Sequence, residues 1–343
     1  MVPEWEAPAL HGSIRLNAVP TGHRGARCYP PRMLLKLYMV ATTLYLLATG
    51  ARRRWLRDGD VMLVYYRIGP LPWHRRRRRR GTAAEPWLLL HGLGSVAATW
   101  GLALHSLRRD CVLIVPELSA LGGTTAPGGA VTIEQGARLA ALLVERELGG
   151  GPVTVAGISL GAWMAMRLAQ RRPELIGRLV LIDAAGYRHQ DWEHIDRLVR
   201  VRDLASVDLL YGALFGTPPW VMRHSRGGFL RAYTSPSVRN LLDGLAERDT
   251  YRDRDLARLT MPVALIWGEH DGLFTLDTAR TMAAALPGAG GRRLYVLNGC
   301  GHAVHLECPR ALVGALQQVR RELPAAPPPP QVGRSARPLA RPT

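Results

Sequence analysis

A serine flanked by glycines is the first feature of this 343-residue chain that could do chemistry. The segment 157–161 reads Gly-Ile-Ser-Leu-Gly and matches the pattern G-x-S-x-G. An apolar run at 153–156 enters the motif, and a segment with helical spacing that begins at Leu160 leaves it. Small residues two positions before and after Ser159 allow a tight strand-to-helix turn that exposes the hydroxyl. We therefore predict a nucleophile at Ser159, whereas the alternative is a serine that only caps a helix.

A serine hydroxyl is a weak nucleophile until a base takes its proton, so a histidine must lie nearby. The chain has 11 histidines. His302 follows the last apolar run, which places it at the carboxyl end of a predicted sheet, where such folds place their sites. His305 is the alternative, but its position just inside a predicted helix would point it elsewhere. We predict that His302 is the base.

The base needs a carboxylate that fixes its tautomer and stabilises its charged form. Asp271 lies in the turn after the apolar run 263–267 and is our prediction for this acid. Asp183 occupies the same kind of position one strand earlier and stays an alternative. Glu269 and Asp277 are weaker candidates.

A pair of backbone amides could bind the oxyanion that forms when Ser159 attacks a carbonyl. The segment 91–94 reads His-Gly-Leu-Gly and directly follows the apolar run that ends at Leu90. Its glycines let backbone amides approach a substrate closely, although an ordinary glycine turn has the same composition. We predict that the amides of Leu93 and Leu160 are the two donors.

The elements that must position these residues alternate between strands and helices. Short apolar runs are typical of strands buried inside a parallel sheet, and helical spacing separates them. This alternation predicts an α/β fold with a mostly parallel central sheet flanked by helices. The predicted strands are 61–66, 87–90, 111–115, 153–156, 179–182, 263–267 and 294–297, and the predicted helices include 133–148, 160–170, 278–286 and 311–323.

Together these motifs resemble the α/β-hydrolase fold proteins, in particular the serine esterases and lipases with a helical lid. The chain order serine, acid, histidine is also that of the family. The resemblance covers roughly residues 60–322 and implies the same roles for Ser159, Asp271, His302, Leu93 and Leu160. The motifs that carry it are the segments 91–92, 157–161, 267–271 and 301–309.

One segment departs from the family pattern. Residues 116–122 read Pro-Glu-Leu-Ser-Ala-Leu-Gly where relatives usually read P-D-x-x-G-x-G, so Glu117 and Ala120 are substitutions. This difference concerns the loop beside the predicted pocket. A serine in the motif also argues against the dehalogenases and epoxide hydrolases of this fold, which attack with aspartate.

The division of the chain follows from the strand pattern. Residues 59–185 and 260–323 are predicted to form the α/β-hydrolase core. The interval 186–259 has no good strand but several helical stretches, and it is predicted to be an inserted helical lid. The lead-in 1–32 lacks a hydrophobic period, and the Pro- and Arg-rich tail 324–343 lacks material for a core, so both are expected to be poorly ordered.

An apolar segment precedes the predicted core. We predict an apolar helix at 33–58, where 15 uncharged residues separate Lys36 from Arg52. This is short of the ~20 residues of a membrane span. A helix that packs on the domain or lies in a membrane interface is favoured over a true span, or over a secretory signal if translation began at Met33. The expected location is cytoplasmic, with membrane association through 33–51 left open.

The chain is strongly basic, with a net charge of +18 and a single lysine among 45 basic residues. An anionic membrane surface is therefore a candidate partner. The six arginines at 75–80 are interpreted as a solvated loop, and because aromatic residues are sparse beside them no nucleic-acid partner is expected. Four cysteines in a chain of this length do not make a disulfide framework, so a reducing interior is the default.

The resemblance implies a hydrolase of carboxylic esters, and the apolar load of the lid favours a hydrophobic, lipid-like substrate. No metal and no organic cofactor is implied. A carbon–carbon bond hydrolase or a cofactor-free perhydrolase would share every motif, and a non-catalytic binder of hydrophobic ligands is the alternative from another class. Nothing in the sequence indicates an oligomeric state.

Overall fold

An eight-stranded sheet is the centre of the structure. The computed structural model describes residues 31–48, 50–70, 84–188, 191–288 and 292–326. In the spatial order β1-β2-β4-β3-β5-β6-β7-β8, β2 runs antiparallel to both of its neighbours and all other pairs are parallel. The strands are β1 Arg52–Asp58, β2 Val61–Ile68, β3 Glu85–Leu90, β4 Cys111–Pro116, β5 Val153–Ile158, β6 Ile176–Ile182, β7 Val263–Gly268 and β8 Arg292–Leu297.

Helices cover both faces of the sheet. Successive residues of β3 belong to opposite sides: Leu88 and Leu90 pack in one hydrophobic cluster, and Trp87 and Leu89 pack in the other. Because both faces are covered, the inner strands are mostly apolar, as predicted, and Thr154 of β5 and Arg178 of β6 are buried polar exceptions. The helices are α1 Pro31–Ala48, α2 Gly101–Leu107, α3 Ile133–Glu147, α4 Leu160–Arg171, α5 Trp192–Val199, α6 Leu204–Leu214, α7 Trp220–Arg223, α8 Arg226–Tyr233, α9 Pro236–Asp243, α10 Asp253–Leu256, α11 Leu276–Ala285, α12 Val304–Glu307 and α13 Pro309–Glu322.

Different helices form the layers on the two faces of the sheet. Helices α3, α4 and α11 pack on one face of the sheet, and α2 and α13 pack on the other. The predicted α/β-hydrolase fold, with its mostly parallel sheet between helices, is confirmed. Strand β8 differs from the expectation of a fully buried strand, since it lies at the edge of the sheet and most of its side chains are exposed or half-buried.

The segment 33–58 is not one helix, and this prediction was wrong in its second half. Helix α1 ends at Ala48, and Arg52–Asp58 form β1, which pairs with β2 from Arg52 opposite Arg67 to Asp58 opposite Val61. The two residues between these strands are Gly59 and Asp60, so a tight hairpin turn joins them. The sheet therefore begins seven residues before the predicted core boundary at residue 59.

Helices α5 to α10 form an insertion between β6 and β7. Side chains from α5, α6 and α8 line a cavity at the carboxyl edge of the sheet, opposite the turn that follows β5. Helix α1 packs against α8, and their contact is close enough that a Cβ at Gly228 would lie 3.0 Å from the Cβ of Leu35. The insertion and α1 together thus cover the predicted site.

Helix α1 does not meet the requirements of a membrane span. Within the described residues, no helix combines the length and the apolarity that crossing a bilayer demands. Three predicted segments, the lead-in before residue 31, the arginine run 75–80 and the tail after residue 326, lie outside the described residues.

Candidate active site

Ser159 occupies a strained turn between β5 and α4. Its backbone angles are φ +53° and ψ −117°, a conformation that residues other than glycine rarely adopt. A Cβ at Gly157 would overlap the carbonyl of Gly161, and a Cβ at Gly161 would overlap the carbonyl of Leu90. Only glycine therefore fits on both sides of Ser159, and the turn that the sequence predicted is present.

His302 and Asp271 form a buried pair. Asp271 lies in the turn after β7, and His302 lies in the loop between β8 and α12. The Nδ1 of His302 donates to Oδ2 of Asp271 over 2.9 Å. The other oxygen, Oδ1, accepts the backbone N–H groups of Leu273 and Phe274, each at 2.8 Å. Because Nδ1 carries the proton, Nε2 is the nitrogen that is left to act as a base.

Ser159 and His302 line the same cavity, which has a volume of about 150 Å³. No hydrogen bond joins their side chains within the described part of the chain. Catalytic hydrogen bonds of this kind are often long without substrate and tighten when it binds. The cavity wall is mostly apolar and includes Trp163, Leu210, Leu214, Phe215, Met222 and Phe229.

The two predicted oxyanion donors also lie at this cavity. Leu93 and Leu160 both line it, and neither of their backbone N–H groups donates to another described group. The loop that carries Leu93 packs against the serine, since a Cβ at Gly92 would lie 3.3 Å from the Cβ of Ser159. Tyr233, which lies on α8 of the insertion, contacts this loop, since its hydroxyl donates to the carbonyl of Leu93 over 3.5 Å. The structure thus brings together all five residues that the sequence predicted.

Asp183, the alternative acid, lies beside the pair without holding the histidine. Its Oδ1 accepts the N–H of Gly268 over 2.8 Å, and its buried Oδ2 has no hydrogen-bond partner in the described residues. Burial and the nearby charge of Asp271 raise the pKa of the Asp183 carboxyl well above its usual range. Asp183 therefore holds its proton more firmly than an exposed aspartate, and the carboxylate that is hydrogen-bonded to His302 is that of Asp271.

His305, the alternative base, lacks a carboxylate partner. It lines the cavity, but its buried Nδ1 makes no hydrogen bond to any described residue. Burial, with His302 and His91 nearby, lowers the pKa of His305 to about 3, so the ring stays neutral. Nothing fixes its tautomer, whereas Asp271 fixes that of His302.

The two weaker acid candidates are engaged outside the cavity. Glu269 accepts the N–H of Gly299 over 2.9 Å, and Asp277 pairs with Arg280 on α11 over 2.8 Å. Neither carboxylate contacts His302.

Three buried side chains at the site could also supply ligand atoms to a cation. One donor atom from each of Asp183, Asp271 and His302 lies within 4.8 Å of the other two. The Nδ1 of His302 and Oδ2 of Asp271 are already joined by their hydrogen bond. A cation held by these two atoms would have to break that bond, so the arrangement fits proton transfer better than metal binding.

Glu117 supports the loops beside the site. In the sequence it was noticed only as a substitution relative to the family pattern. Its buried Oε2 accepts the N–H of Ala97 over 3.0 Å, and its carboxyl group lies directly over Gly122. Neighbouring His91 is neutral, because its Nε2 accepts the N–H of Leu118 and burial lowers its pKa to about 4. Burial raises the pKa of Glu117 to about 7. This buried pair supports the loop that carries Leu93.

A disulfide between Cys300 and Cys308 encloses the loop that carries His302. Reduced cysteines were expected from the sequence, and no pairing between them was predicted. The only signal was their position on either side of the histidine, eight residues apart. Cys111 is free and buried, and burial raises the pKa of its thiol to about 12.

Comparisons with known proteins show the family to which this chain belongs. The model of the alpha/beta hydrolase family matches residues 87–315, and the chain belongs to this family. It is 26% identical over 280 residues to an esterase from Mycobacterium tuberculosis, covering 73% of this chain and 90% of the esterase. It is also 26% identical over 255 residues to a 2-hydroxy-6-oxo-2,4-heptadienoate hydrolase from Pseudomonas putida, covering 67% of this chain and 87% of that hydrolase.

A solved structure shares the fold. The carboxylesterase CesB from Bacillus subtilis superposes with a TM-score of 0.65 at 17% identity, covering 83% of this chain and 97% of the esterase. The similarity at this level concerns the architecture of the sheet and its helices.

Proposed function

We propose that this protein is a serine hydrolase that cleaves carboxylic esters with a hydrophobic, lipid-like body. One observation carries the proposal: the strained serine turn and the His302–Asp271 pair open into one apolar cavity. A nucleophile, a base and an orienting acid on three separate loops are the parts that acyl transfer through serine requires.

In the proposed mechanism, Oγ of Ser159 attacks the carbonyl carbon while Nε2 of His302 removes the hydroxyl proton. The carbonyl oxygen becomes an oxyanion and accepts the N–H groups of Leu93 and Leu160. When the tetrahedral intermediate collapses, the C–O bond to the alcohol breaks and His302 returns its proton to the leaving oxygen. Water, deprotonated by His302, then attacks the acyl-enzyme, the acid leaves, and Ser159 regains its proton.

The lining of the cavity supports a neutral rather than an anionic substrate. Among its described lining residues there is no lysine and no arginine, and its one carboxylate, Asp196, is paired with Arg200 at 2.8 Å. A negatively charged substrate would have to leave water without gaining a cationic partner, which is unfavourable. An ester with an acyl chain would instead gain from contact with the apolar wall.

The second candidate is a carbon–carbon bond hydrolase, which the similarity to the Pseudomonas hydrolase favours. The substrate of that relative is named as a dienoate, which is a carboxylate. The absence of a cation from the described cavity lining is the reason to rank this reaction below ester cleavage. A substrate panel with p-nitrophenyl esters and a dienoate separates the two reactions.

The substitution Ser159→Ala tests the proposal. The native protein should react with a fluorophosphonate probe and hydrolyse p-nitrophenyl esters, and S159A should lose labelling and at least about 10³-fold in turnover. An unchanged thermal unfolding midpoint is the control for the fold. Full turnover by S159A would overturn the assignment of the nucleophile. A native protein that neither reacts with the probe nor cleaves any ester would instead be a binder of hydrophobic ligands.

A further inference from the structure

Helix α1 presents two different faces. Leu35, Tyr38 and Met39 line the cavity that contains Ser159. On another side of the same helix, the side chains of Val40 and Leu44 are 48% and 59% exposed. An exposed apolar stripe on a helix lowers the solubility of a protein unless a partner covers it. The helix therefore joins the candidate active site to an apolar surface that is exposed among the described residues.

This surface borders a groove of about 650 Å³ between α1 and α8, which we name the α1 groove. The catalytic cavity lies immediately behind it. Four residues, Leu35, Met39, Val96 and Ala232, line both spaces and separate them. Whatever occupies the α1 groove is therefore one layer of side chains away from the cavity. The apolar residues of α1 that line the groove include Val40, Leu44 and Leu47.

The groove is also cationic. Lys36, Arg53 and Arg231 line it, and no ion pair within the described residues neutralises any of the three. Its one acidic lining residue, Glu117, is buried and has its pKa raised to about 7. Apolar side chains flanked by unpaired cations match the two layers of a bilayer surface made of anionic phospholipids. The net charge of +18 adds a long-range attraction of the same sign.

We propose that the α1 groove docks on the surface of an anionic phospholipid bilayer, with Val40, Leu44 and Leu47 in contact with the acyl region. Lys36, Arg53 and Arg231 then bind phosphate groups of the lipids. In this orientation the catalytic cavity lies directly behind the lipid surface. That hydrophobic esters reach the cavity from the bilayer rests on the proposed function, but the docking itself does not.

The test is vesicle flotation with the full-length chain carrying Ser159→Ala, so that binding is measured independently of hydrolysis. Vesicles of phosphatidylcholine alone are compared with vesicles that contain about 30 mol% phosphatidylglycerol. We expect binding to the anionic vesicles to exceed binding to the neutral ones by at least about tenfold and to fall as salt is added.

Paired variants locate the surface. The double substitution Val40→Asp/Leu44→Asp should reduce vesicle binding by about tenfold or more, whereas Leu209→Asp, on an α6 side chain that is 67% exposed, should not change it. Likewise Lys36→Glu/Arg231→Glu should reduce binding, and Arg239→Glu on exposed α9 should have a much smaller effect. Thermal unfolding midpoints control for the fold, and the charge variants alone suffice if the double aspartate variant does not fold.

Three results would overturn the proposal. Equal binding to neutral and anionic vesicles, or none to either, would exclude recognition of anionic lipid. Equal losses in the groove variants and in their controls would show a general effect of charge. A dimer in solution that Val40→Asp/Leu44→Asp dissociates, without vesicle binding by the native chain, would assign the groove to contact between copies.

Discussion

The Nδ1 of His302 and the Oδ2 of Asp271 lie 2.9 Å apart although 31 positions separate the two residues. Each stands in the loop after one of two adjacent parallel strands, β7 and β8, whose carboxyl ends meet at the same edge of the sheet. Two backbone N–H groups hold the other carboxylate oxygen, so the acid cannot rotate away. This relationship is the reason why we propose His302 rather than His305 as the base.

Asparagine at position 271 should cost far more activity than asparagine at position 183. Asp271→Asn removes the charge that stabilises the imidazolium and favours the wrong tautomer, so we expect kcat to fall by about 10⁴-fold. The Oδ1 of Asp183 accepts the N–H of Gly268, burial and Asp271 raise the pKa of its carboxyl, and asparagine tolerates its positive φ of 43°. For Asp183→Asn we expect less than about a tenfold loss. Steady-state kinetics on a p-nitrophenyl ester measure both, and the reverse order would make Asp183 the acid.

His302, in the loop between β8 and α12, and His305, within α12, should differ in the same assay. His302→Gln removes the base, and we expect a loss of at least about 10³-fold in kcat. His305→Gln leaves that base and its carboxylate in place, so kcat should change by less than about tenfold. Labelling by a fluorophosphonate probe provides a second measurement, since only the first variant should fail to react. A larger loss in the His305 variant would contradict the assignment.

A larger side chain on the side of α1 that lines the cavity should restrict the enzyme to shorter acyl chains. Leu35 lines the cavity, so Leu35→Trp should lower kcat/KM for long-chain esters by about tenfold or more while short-chain esters are cleaved as before. The matched control is Ala41→Trp, on an exposed position of the same helix that lines neither space. Rates across soluble p-nitrophenyl esters of graded chain length measure the effect. Equal profiles for both variants would show that α1 does not form the wall.

Glu117 should make the protein less stable as the pH rises from about 5 to 8. Its pKa is raised from 4.5 to about 7, so the folded state holds the proton more tightly than the unfolded state. The contribution of Glu117 to the free energy of unfolding therefore falls through this window, by about 3 kcal/mol at most. His91 and His305, whose folded-state pKa values are lowered from 6.5 to about 4 and about 3, act in the opposite direction below about pH 7, because the unfolded state binds their protons more tightly.

The substitution Glu117→Gln removes this titration and leaves an oxygen acceptor for Ala97. The difference in unfolding free energy between the variant and the native protein should shift in favour of the variant from pH 5 to pH 8. A destabilisation by the amide that does not depend on pH would leave this change unaffected. Urea unfolding at pH 5, 6, 7 and 8 provides the measurement. Parallel pH curves for the two proteins would mean that Glu117 titrates normally.

The sequence by itself determined the parts of this protein that depend on short-range signals. Apolar runs of four or five residues identified the inner strands, because a strand covered by helices on both faces has no polar side. The turn at Ser159 was predictable from its two glycines, since a side chain at either position would collide with the backbone. Element ends were less certain, and the hairpin from β1 to β2 was missed because arginines dominate β1.

Only the tertiary structure decided which residues meet. Asp183 and Asp271 have equivalent sequence contexts after neighbouring strands. Only the packing of the loops gives Asp271 the hydrogen bond to His302, while Asp183 is buried and accepts the N–H of Gly268. In the sequence, helix α1 is an apolar segment with no sign of a partner. In the structure it packs on α8 and forms a wall of the cavity. The physical reason is that periodicity and turn preference act over a few neighbouring residues, whereas a site assembled from distant loops depends on contacts that no local pattern encodes.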